Sequence, residues 1–374
     1  MISRIVQTTA KFVSGKATAS KRGANSLYLD THWKEIQAAS TRIRGYVRRT
    51  PLLPTDFGEA VFVKPESLQP TGSFKVRGAF NAILSIRAED PAIAGVVAGS
   101  SGNHGQAVAY AARVLGIRAI IAMPEDSNPV KVDAVRNLGA ETVAGVTWEN
   151  RDEVVARIAE ERQLAIVHPF DDWSTIYGQG TVATEVFAEC SNLGAVVAPV
   201  GGGGLLAGIA LATKALTNSR ATVIGVEPEV ASDASESLRR GVRHSLQQAP
   251  QTVADGVRAK RIGARNFEVL VDHGCADEIV TVSEEEILTA VGVAWRQLRL
   301  VIEPTGALPI AALLAGKLPA SRVSRPIALI LSGGNINPAV LPAALTANAP
   351  NSRLALETSM PMGCSPCGPV ASDL

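Results

Sequence analysis

Short apolar runs alternate with helix-length segments along most of the chain, and this alternation limits the fold more than any other feature. The runs are rich in β-branched residues and recur near Val61, Val96, Ile120, Ile166, Val197, Ile224 and Ile330. Strands separated by helical patterns pair in parallel, because a parallel connection needs a crossover segment. The sequence therefore predicts an α/β fold built on open parallel sheets.

The ends of these predicted strands carry small and polar residues rather than charges. Gly, Ser, Asn or Pro follows most of the apolar runs. Open α/β sheets bind their ligands outside the carboxyl ends of the strands. We therefore expect the functional residues at these positions.

The composition is that of a compact, enzyme-sized protein with a small-molecule partner. The 374 residues suffice for about two or three domain-sized cores, and 46% of them are hydrophobic. The 36 basic and 35 acidic residues leave a formal charge of +1. Without a field of one sign, the chain lacks the electrostatic means to hold nucleic acid or an anionic membrane.

An uncharged stretch runs from Cys190 to Thr213 and is long enough to span a bilayer. Pro199 and the glycines Gly201 to Gly204 interrupt it in the middle. These residues suit a buried strand, a tight turn and a buried helix. We therefore predict no membrane span.

The cysteines and the chain ends bear on the cellular compartment. Four cysteines, with Cys190 and Cys275 in apolar surroundings, do not resemble a disulfide framework and fit a reducing compartment. Cys364 and Cys367 form a lone CxxC in a Gly, Pro and Ser-rich tail, which we interpret as incidental rather than as a redox or metal site. Residues 1–29 are basic and contain no acid, as in a disordered arm or a mitochondrial transit peptide. We expect an arm and a cytoplasmic protein.

The segment PTGSFKVRGA, residues 70–79, places Lys75 after a glycine-containing turn and at the start of a predicted helix. Phe74 and Val76 flank it. Apolar neighbours and a helix N-terminus reduce the preference of a lysine for its charged form, and the neutral amine is the nucleophile that forms imines. A surface lysine on a helix is the alternative for this segment taken alone.

The segment GSSGNHGQA, residues 99–107, follows a predicted strand and leads into a helix. Its backbone N–H groups, the hydroxyls of Ser100 and Ser101 and the amide of Asn103 can bind a carboxylate at the helix N-terminus, which attracts anions. His104 could serve as a catalytic base. Because it lies beside a glycine at a helix start, we interpret it instead as a structural, hydrogen-bonding residue.

The segment VGGGGLLAG, residues 200–208, joins a predicted strand to an apolar helix through four consecutive glycines. Only glycine lets the backbone approach a phosphate closely and present several N–H groups to it, so the segment predicts a phosphate-binding loop. Gly202, Gly204 and Ala207 also fit the G-x-G-x-x-A pattern of a dinucleotide site, with Glu227 at the required distance. A nicotinamide enzyme, however, leaves the lysine segment and the Ser-Asn loop unexplained.

The segment ALILSGGN, residues 328–335, places Ser332 at the end of a predicted buried strand. A hydroxyl there can hydrogen-bond a pyridine nitrogen without protonating it, which leaves the ring a weaker electron sink than one paired with a carboxylate. Such a ring favours the loss of a β-leaving group. An ordinary strand-end turn is the alternative.

These four segments, in this order, resemble the fold-type II pyridoxal-phosphate enzymes, and among them the serine/threonine dehydratases and serine racemases. The resemblance runs from about Asp30 to about Ala344. It implies two open parallel-sheet α/β domains of the tryptophan synthase β-like architecture, with the cofactor between them. The expected parts are a large domain of residues 30–91 and 173–345, a small mobile domain of residues 92–172, and a flexible tail of residues 346–374.

The resemblance also implies a role for each motif residue. Lys75 would carry the cofactor as an imine, Phe74 would flank its ring and Asn103 would contact its 3′-oxygen. Ser332 would meet the pyridine nitrogen. The phosphate would bind to Gly201, Gly202, Gly203, Gly204 and Leu205. The substrate carboxylate would lie among Ser100, Ser101, Gly102, Asn103 and His104.

The reaction that the resemblance implies is the loss of water and ammonia from L-threonine or L-serine, with Lys75 as the general base at Cα and a 2-oxo acid as the product. Threonine dehydratases resemble SAGNH at residues 100–104, whereas this chain has SSGNH, which is similar to serine racemases and threo-3-hydroxyaspartate ammonia-lyases. In a racemase the residue at Ser101 is the second acid/base. Racemisation and hydroxyaspartate cleavage therefore stay open as alternatives.

Two further sites rest on the resemblance. The segment GVEPEVASD is similar to a divalent-cation site, with Glu227 and Asp233 as carboxylate ligands and Ala231 through its carbonyl. Such oxygen ligands suit Mg²⁺ or Ca²⁺, and a solvated acidic loop is the alternative. Arg151 falls where racemase-like enzymes place an arginine that meets a substrate carboxylate. The family also implies a homodimer or homotetramer.

Overall fold

The computed structural model describes residues 26–125, 127, 129–321, 323 and 326–347. Residues 1–25 of the expected arm, the cysteines Cys364 and Cys367 and nearly all of the expected tail lie outside this part of the chain. Residues 26–29 do not belong to an arm, because they are helical and the side chain of Leu29 is buried in the core.

Ten strands lie within the described residues, and seven of them coincide with the seven apolar runs of the sequence. The other three, Leu53–Pro54, Glu141–Val143 and Glu278–Val282, are only partly buried and were not predicted. The ten strands are β1 (Leu53–Pro54), β2 (Val61–Pro65), β3 (Gly95–Gly99), β4 (Arg118–Ala122), β5 (Glu141–Val143), β6 (Ala165–Ile166), β7 (Ala195–Pro199), β8 (Thr222–Pro228), β9 (Glu278–Val282) and β10 (Ile327–Leu331). Every residue of β2, β3, β7 and β10 is buried, because helices cover both faces of a parallel sheet.

Helices connect the strands, as the alternation predicts. In the described part of the chain they are α1 (26–42), α2 (Lys75–Glu89), α3 (Asn103–Leu115), α4 (Pro129–Asn137), α5 (Arg151–Arg162), α6 (Trp173–Glu189), α7 (Gly204–Thr217), α8 (Asp233–Arg240), α9 (Ala264–Phe267), α10 (Glu284–Val293), α11 (Pro304–Leu314) and α12 (Leu341–Thr346). The predicted α/β class is confirmed.

The larger sheet has six strands in the order β1-β2-β10-β7-β8-β9. All neighbouring pairs are parallel except β1 with β2. Alternate residues of β7 face opposite helical layers, since side chains alternate along a strand. Val196 and Ala198 pack in the cluster that contains α6 and α7, whereas Ala195 and Val197 pack in the cluster that contains α10 and α11.

The smaller sheet has four parallel strands in the order β5-β4-β3-β6. On one face, Val96 and Ala98 of β3 share a cluster with residues of α3. On the other face, Val97 shares a cluster with Val154 and Ile158 of α5. Both sheets are therefore covered on both sides and leave their strand ends for a site.

Helix α2 joins the two sheets. It follows β2 of the larger sheet and packs along α6, yet its residues Phe80 and Ile83 lie in the core of the smaller sheet. The Phe80 ring is fully buried, with its centre 4.9 Å from that of Tyr46 and 5.9 Å from that of Tyr110. Because α2 begins at Lys75, this packing holds Lys75 at the boundary between the sheets.

The uncharged stretch from Cys190 to Thr213 forms β7, the glycine turn and most of α7, as expected of a buried strand, turn and helix. Helix α7 has only 14 residues. Among the residues that the structure describes, no helix has both the length and the apolar character to cross a bilayer.

Candidate active site

A cavity of about 600 Å³ opens where strands of both sheets end. The structure brings all four sequence motifs to its wall, together with an irregular segment over residues 241–263. The motif residues that line it are Phe74, Lys75, Gly99 to His104, Gly201 to Leu205, and Ser332. The other lining residues include Lys131, Trp148, Arg151, His168 to Asp171, Asp255 and Glu303.

Backbone hydrogen bonds join the lysine turn to the end of β10. The Phe74 N–H donates to the Ser332 carbonyl at 3.0 Å, and the Gly334 N–H donates to the Gly72 carbonyl at 2.8 Å. Gly72 has a φ of +71°, a left-handed conformation that favours glycine. These contacts place Lys75 and Ser332 on the same side of the cavity.

The Lys75 amine has no carboxylate partner among the described residues. Its Nζ donates to the Pro169 carbonyl at 2.7 Å and lies 5.1 Å from the centre of the Phe74 ring. Burial lowers the pKa of Lys75 from 10.5 to about 8, because desolvation disfavours the ammonium form. An appreciable fraction of the amine is therefore neutral near physiological pH, as a nucleophile or general base must be.

The loop before α3 presents donors to an anion. The Gly102 N–H donates to Ser100 Oγ at 3.1 Å, so Ser100 orders the loop, while Ser101 lines the cavity. Helix α3 begins at Asn103, which places the positive end of its dipole at the cavity wall. This arrangement suits a carboxylate.

His104 is buried next to this loop and is committed to the backbone. Its Nε2 lies 2.9 Å from the Val167 carbonyl oxygen, so this nitrogen carries the proton and donates it. Burial, followed by the charge of Lys75, lowers the pKa of His104 to about 3. A neutral imidazole held in this way orders the loop, and the geometry favours a structural role over that of a base.

The glycine loop between β7 and α7 has no room for side chains. Gly203 has a φ of +93°. A Cβ atom at Gly201 would lie 2.9 Å from Val257 Cα, and one at Gly202 would overlap the Phe170 ring. The first N–H groups of α7 have no intrahelical acceptor and lie at this loop. A phosphate is the ligand that such a loop suits best.

The Ser332 hydroxyl is buried at the cavity and has no hydrogen-bond partner within the described part of the chain. A buried polar group without a partner costs about 1–3 kcal/mol. A ligand atom in the cavity would remove this cost, so the Ser332 hydroxyl is placed to accept a hydrogen bond from a ligand or to donate one to it.

Asn103 is held at both ends of its amide. Its Nδ2 donates to Glu303 Oε1 at 2.6 Å, and its Oδ1 accepts from Asn335 Nδ2 at 2.8 Å. Asn335 also donates to the Thr71 carbonyl at 2.8 Å. Sequence reasoning found Asn103 but missed Glu303 and Asn335. A signal for Glu303 was present, because it is the single charged residue between positions 300 and 316.

Aromatic and cationic side chains surround the cavity mouth. The guanidinium carbons of Arg151 and Arg258 lie 5.9 and 5.1 Å from the centre of the Trp148 ring. Arg151 also pairs with Asp152 at 3.0 Å. The structure therefore places Arg151 in the cavity wall, with part of its charge neutralised by Asp152.

A second contact at the mouth joins the two halves of the cavity. Lys131 of α4, beside the smaller sheet, pairs with Asp255, which precedes Val257 in a short 3₁₀ turn beside the larger sheet. Sequence reasoning missed both residues, because no local pattern marks an ion pair between segments 124 positions apart.

Glu227 and Asp233 lie outside the cavity lining. Glu227 accepts the N–H groups of Ala234 and Ser235 at 3.2 and 2.8 Å, and both carboxylate oxygens of Asp233 are buried without a partner in the described chain. Burial and the nearby Asp233 raise the pKa of Glu227, and burial raises that of Asp233 to about 7. Glu227 is thus not placed to bind a ribose at the glycine loop, which removes the basis of the dinucleotide interpretation.

The expected cation site has two carboxylates and no third. Among the described residues, no group of three or more His, Cys, Asp and Glu side chains is arranged to hold a metal ion. A site here would therefore depend on backbone oxygens such as the Ala231 carbonyl and on water.

Comparison with known proteins agrees with this site. The family model described as pyridoxal-phosphate dependent enzyme matches residues 43–333. The chain is 36% identical over 311 residues to a serine racemase of Dictyostelium discoideum, covering 81% of this chain and 94% of that protein. It is 40% identical over 312 residues to an L-threonine ammonia-lyase of Geobacter sulfurreducens, covering 81% and 75%. The solved structure of T.th. threonine deaminase has a TM-score of 0.75 at 46% identity and covers 81% of this chain and 98% of its own. The chain therefore belongs to the family of pyridoxal-phosphate dependent enzymes.

Proposed function

We propose that this protein is an ammonia-lyase that uses pyridoxal phosphate to convert L-threonine or L-serine to a 2-oxo acid and ammonia. One observation carries the proposal: the Lys75 amine, the glycine loop and the anion-binding loop before α3 line a single cavity. The similarity to a threonine ammonia-lyase and to a threonine deaminase supports these substrates.

The residues present fit the cofactor of the family. Ser332 Oγ is a buried hydroxyl without a partner in the described chain, as expected of a group that meets the ring nitrogen. Residues 201–204 and Leu205 form a loop whose backbone N–H groups would hold the phosphate. Phe74 would flank the ring, beside the Lys75 amine to which the aldehyde attaches. When bound, the cofactor supplies an electron sink for the bonds at Cα.

The substrate carboxylate is proposed to bind at residues 100–104. Backbone N–H groups, the Ser101 hydroxyl and the N-terminal end of α3 all favour an anion there. Asn103 would donate its second N–H to the ring oxygen of the cofactor. Arg151 would add a cation at the mouth, but its pairing with Asp152 makes its contribution smaller than that of the loop.

Lys75 is proposed to remove the Cα proton. Its lowered pKa of about 8 lies close to neutral pH, and a general base of matched pKa contributes about 10²- to 10⁴-fold in rate. With Ser332 rather than a carboxylate at the ring nitrogen, the bound cofactor would supply only a moderate electron sink, which suits the loss of a β-hydroxyl group.

Racemisation is the second candidate function, and Ser101 is the observation that favours it. The side chain of Ser101 lines the cavity, where its hydroxyl could return a proton to Cα. The similarity to a serine racemase agrees with this role. In Ser101→Ala we expect D-serine formation to stop while 2-oxo acid formation continues, measured by chiral chromatography of the products.

The buried carboxylates Glu227 and Asp233 are proposed to bind Mg²⁺ or Ca²⁺ together with the Ala231 carbonyl. Two adjacent buried carboxyl groups disfavour ionisation of both, and a hard cation removes that repulsion. The site lies outside the cavity lining, so the cation would act on the stability of the larger-sheet side rather than on the reacting atoms.

Three coarser features complete the proposal. Residues 92–172 are proposed to move as a unit that closes over the substrate and excludes water. A homodimer or homotetramer is proposed from the family resemblance. A reducing compartment, the cytoplasm, is proposed from the small number of cysteines, with the mitochondrion as the alternative that the basic N-terminal segment favours.

Absorption spectra of the purified protein test the proposed function. Spectra are recorded before and after addition of L-threonine, L-serine or L-threo-3-hydroxyaspartate, with 2-oxo acid measured in each sample. We expect a visible band from lysine-bound cofactor that changes on addition of substrate, and the substrate that yields 2-oxo acid fastest identifies the reaction.

Lys75→Ala should remove both the band and the product, while Lys317→Ala, a partly exposed lysine outside the cavity lining, should retain both. Bound cofactor without 2-oxo acid from any of the three substrates would reject the ammonia-lyase. Product formation that survives in Lys75→Ala would reject the role of the lysine.

A further inference from the structure

Glu303 occupies an unusual position before a helix. It precedes Pro304, the first residue of α11, but its side chain does not cap that helix. Its own N–H donates to the Gly333 carbonyl at 3.0 Å, and its carbonyl accepts from Ala307 at 3.1 Å. Its side chain lines the cavity and is 1% exposed.

The two oxygens of Glu303 differ in their contacts. Oε1 accepts the short bond from Asn103 Nδ2 at 2.6 Å. Oε2 is buried and has no hydrogen-bond partner within the described residues. Burying a carboxyl oxygen without a hydrogen bond costs free energy of folding, so such a group calls for a functional explanation.

The hydrogen bond to Glu303 fixes the orientation of the Asn103 amide, that is, the positions of its NH₂ group and its carbonyl oxygen. An ionised carboxylate only accepts, so the neighbouring amide must turn its NH₂ group toward it. Asn335 donates to the opposite end, the Asn103 carbonyl oxygen, at 2.8 Å. One N–H of Asn103 is then bound to Glu303, and the second stays available to an acceptor in the cavity.

The charges around Glu303 come from both sides of the cavity. Burial raises the pKa of Glu303 to about 7, with Lys131 opposing the shift and Asp255 adding to it. Lys131 and Asp255 form the ion pair at the mouth. The Lys131–Asp255 contact therefore affects how fully Glu303 is ionised.

We propose that Glu303 is a positioning residue of this site, whose carboxylate holds the Asn103 amide so that an N–H is presented to the ring oxygen of the cofactor. Glu303 acts through Asn103 and touches no reacting atom. The inference rests on the proposed function only through its cofactor, and not through the choice of substrate.

A double-mutant cycle on cofactor binding tests this role. Cofactor-free protein is titrated with pyridoxal phosphate, and the dissociation constant and the position of the absorption band are measured. Glu303→Gln keeps the shape but loses the fixed, charged acceptor, so we expect binding weakened about tenfold and a shifted band. In the Asn103→Ala background the same change should weaken binding less than about twofold, because the residue through which Glu303 acts is gone.

Glu286→Gln is the matched control. Glu286 also lies in a helix N-terminal turn and accepts from Ser283 N–H and Lys317 at 2.7 Å each, but it does not line the cavity. Its variant should keep the wild-type dissociation constant and band. Equal losses from Glu303→Gln with and without Asn103, or an unshifted band, would overturn the proposal.

A second variant keeps the test valid if the first does not fold, and one outcome distinguishes the role of Glu303 from the proposed ammonia-lyase activity. If Glu303→Gln does not fold, Glu303→Asp replaces it, because a carboxylate shortened by one methylene cannot keep the 2.6 Å bond, and the same non-additivity is expected. A wild-type protein that binds cofactor with this coupling but forms no 2-oxo acid would reject the ammonia-lyase and leave the role of Glu303 standing.

Discussion

Two cations lie two positions apart at the start of α2, and their surroundings are opposite. Arg77 is completely buried and pairs with Glu66 at 2.7 Å and with Glu185 at 2.6 Å. Lys75 faces the cavity, and the hydrogen bond of its amine goes to the Pro169 carbonyl at 2.7 Å rather than to a carboxylate. The same helix thus carries one cation with its charge compensated and one without.

The different surroundings of Arg77 and Lys75 suit one residue to stabilising the fold and the other to reacting. Carboxylate partners raise the pKa of Arg77 further above its ordinary value, so that charge is permanent. Burial without a carboxylate partner lowers the pKa of Lys75 to about 8 and makes its proton removable. Two other residues of the cavity wall, Ser332 and Glu303, each hold a buried polar atom without a partner in the described chain. At the start of α2, the compensated cation therefore belongs to the scaffold and the uncompensated one to the site.

The largest effect is expected when Arg77 is replaced. Arg77→Met leaves Glu66 buried and without its main partner, and breaking a buried ion pair costs about 3–5 kcal/mol. The matched variant Lys75→Met removes an uncompensated charge and one hydrogen bond, so the free energy of unfolding should change by only about 1 kcal/mol. Urea unfolding of the two cofactor-free variants measures both values.

If Lys75→Met were as destabilising as Arg77→Met, the carboxylate partners would not determine the stability cost of losing a cation. Lys64 provides a second test, because its Nζ is fully buried in the same network and bonds Glu185 at 2.7 Å. Lys64→Met should resemble Arg77→Met rather than Lys75→Met, although the substitution is identical to that at Lys75.

A smaller effect is expected from a divalent cation at Glu227 and Asp233. A ligand that binds only the folded state at a hundredfold excess over its dissociation constant stabilises by about 2.7 kcal/mol. Unfolding with Mg²⁺ or Ca²⁺ and then with a chelator should show this increment in the wild type and not in Asp233→Asn. Glu236→Gln is the control, since Glu236 lies on the same helix but pairs with Arg239 and Arg240 at the surface. An increment that persists in Asp233→Asn would place the cation elsewhere.

The titration of Lys75 should change the rate of cofactor attachment by about tenfold per pH unit. Only the neutral amine attacks the aldehyde, so the rate should rise with pH and level off above about 8 rather than near the ordinary value of 10.5. Between these two values the unfolded chain binds more protons at this lysine than the folded chain, so the stability of the cofactor-free protein should also rise with pH there. Stopped-flow absorbance measures the attachment rate, and an inflection near 10.5 would contradict the lowered pKa.

The sequence predicts those parts of the site that depend on local chemistry. Lys75, the glycines at 201–204 and Ser332 each lie in or next to a glycine-containing turn that comes after a strand, and the glycines signal close backbone approach. Their meeting in one cavity follows from the rule that ligands bind at the carboxyl ends of parallel strands. The central strands β2, β3, β7 and β10 were predictable because they are buried on both faces and form continuous apolar runs. The partly exposed strands β1, β5 and β9 lack such runs and were not predicted.

The contacts between distant segments could not be read from the sequence. Glu303 meets Asn103 across 200 positions, and Lys131 meets Asp255 across 124. No period or turn signal relates such residues, since they belong to segments far apart in the chain. The sequence also did not predict that Phe80 packs in the core of the smaller sheet, because no local pattern shows which sheet a helix covers.

The smallest effect is expected at Glu141, which has two arginine partners where the buried Glu66 has one. It pairs with Arg118 at 2.6 Å and with Arg162 at 2.8 Å, but its side chain is 41% exposed, against 0% for Glu66. Water already solvates these charges, so Glu141→Gln should change the free energy of unfolding by less than about 1 kcal/mol. Because the arginines lower the pKa of Glu141, its contribution is present at neutral pH and lost as the pH falls, and the variant and wild type should converge in acid. A loss as large as that of Arg77→Met in urea unfolding would show that the number of partners, rather than burial, determines the stability of ion pairs in this protein.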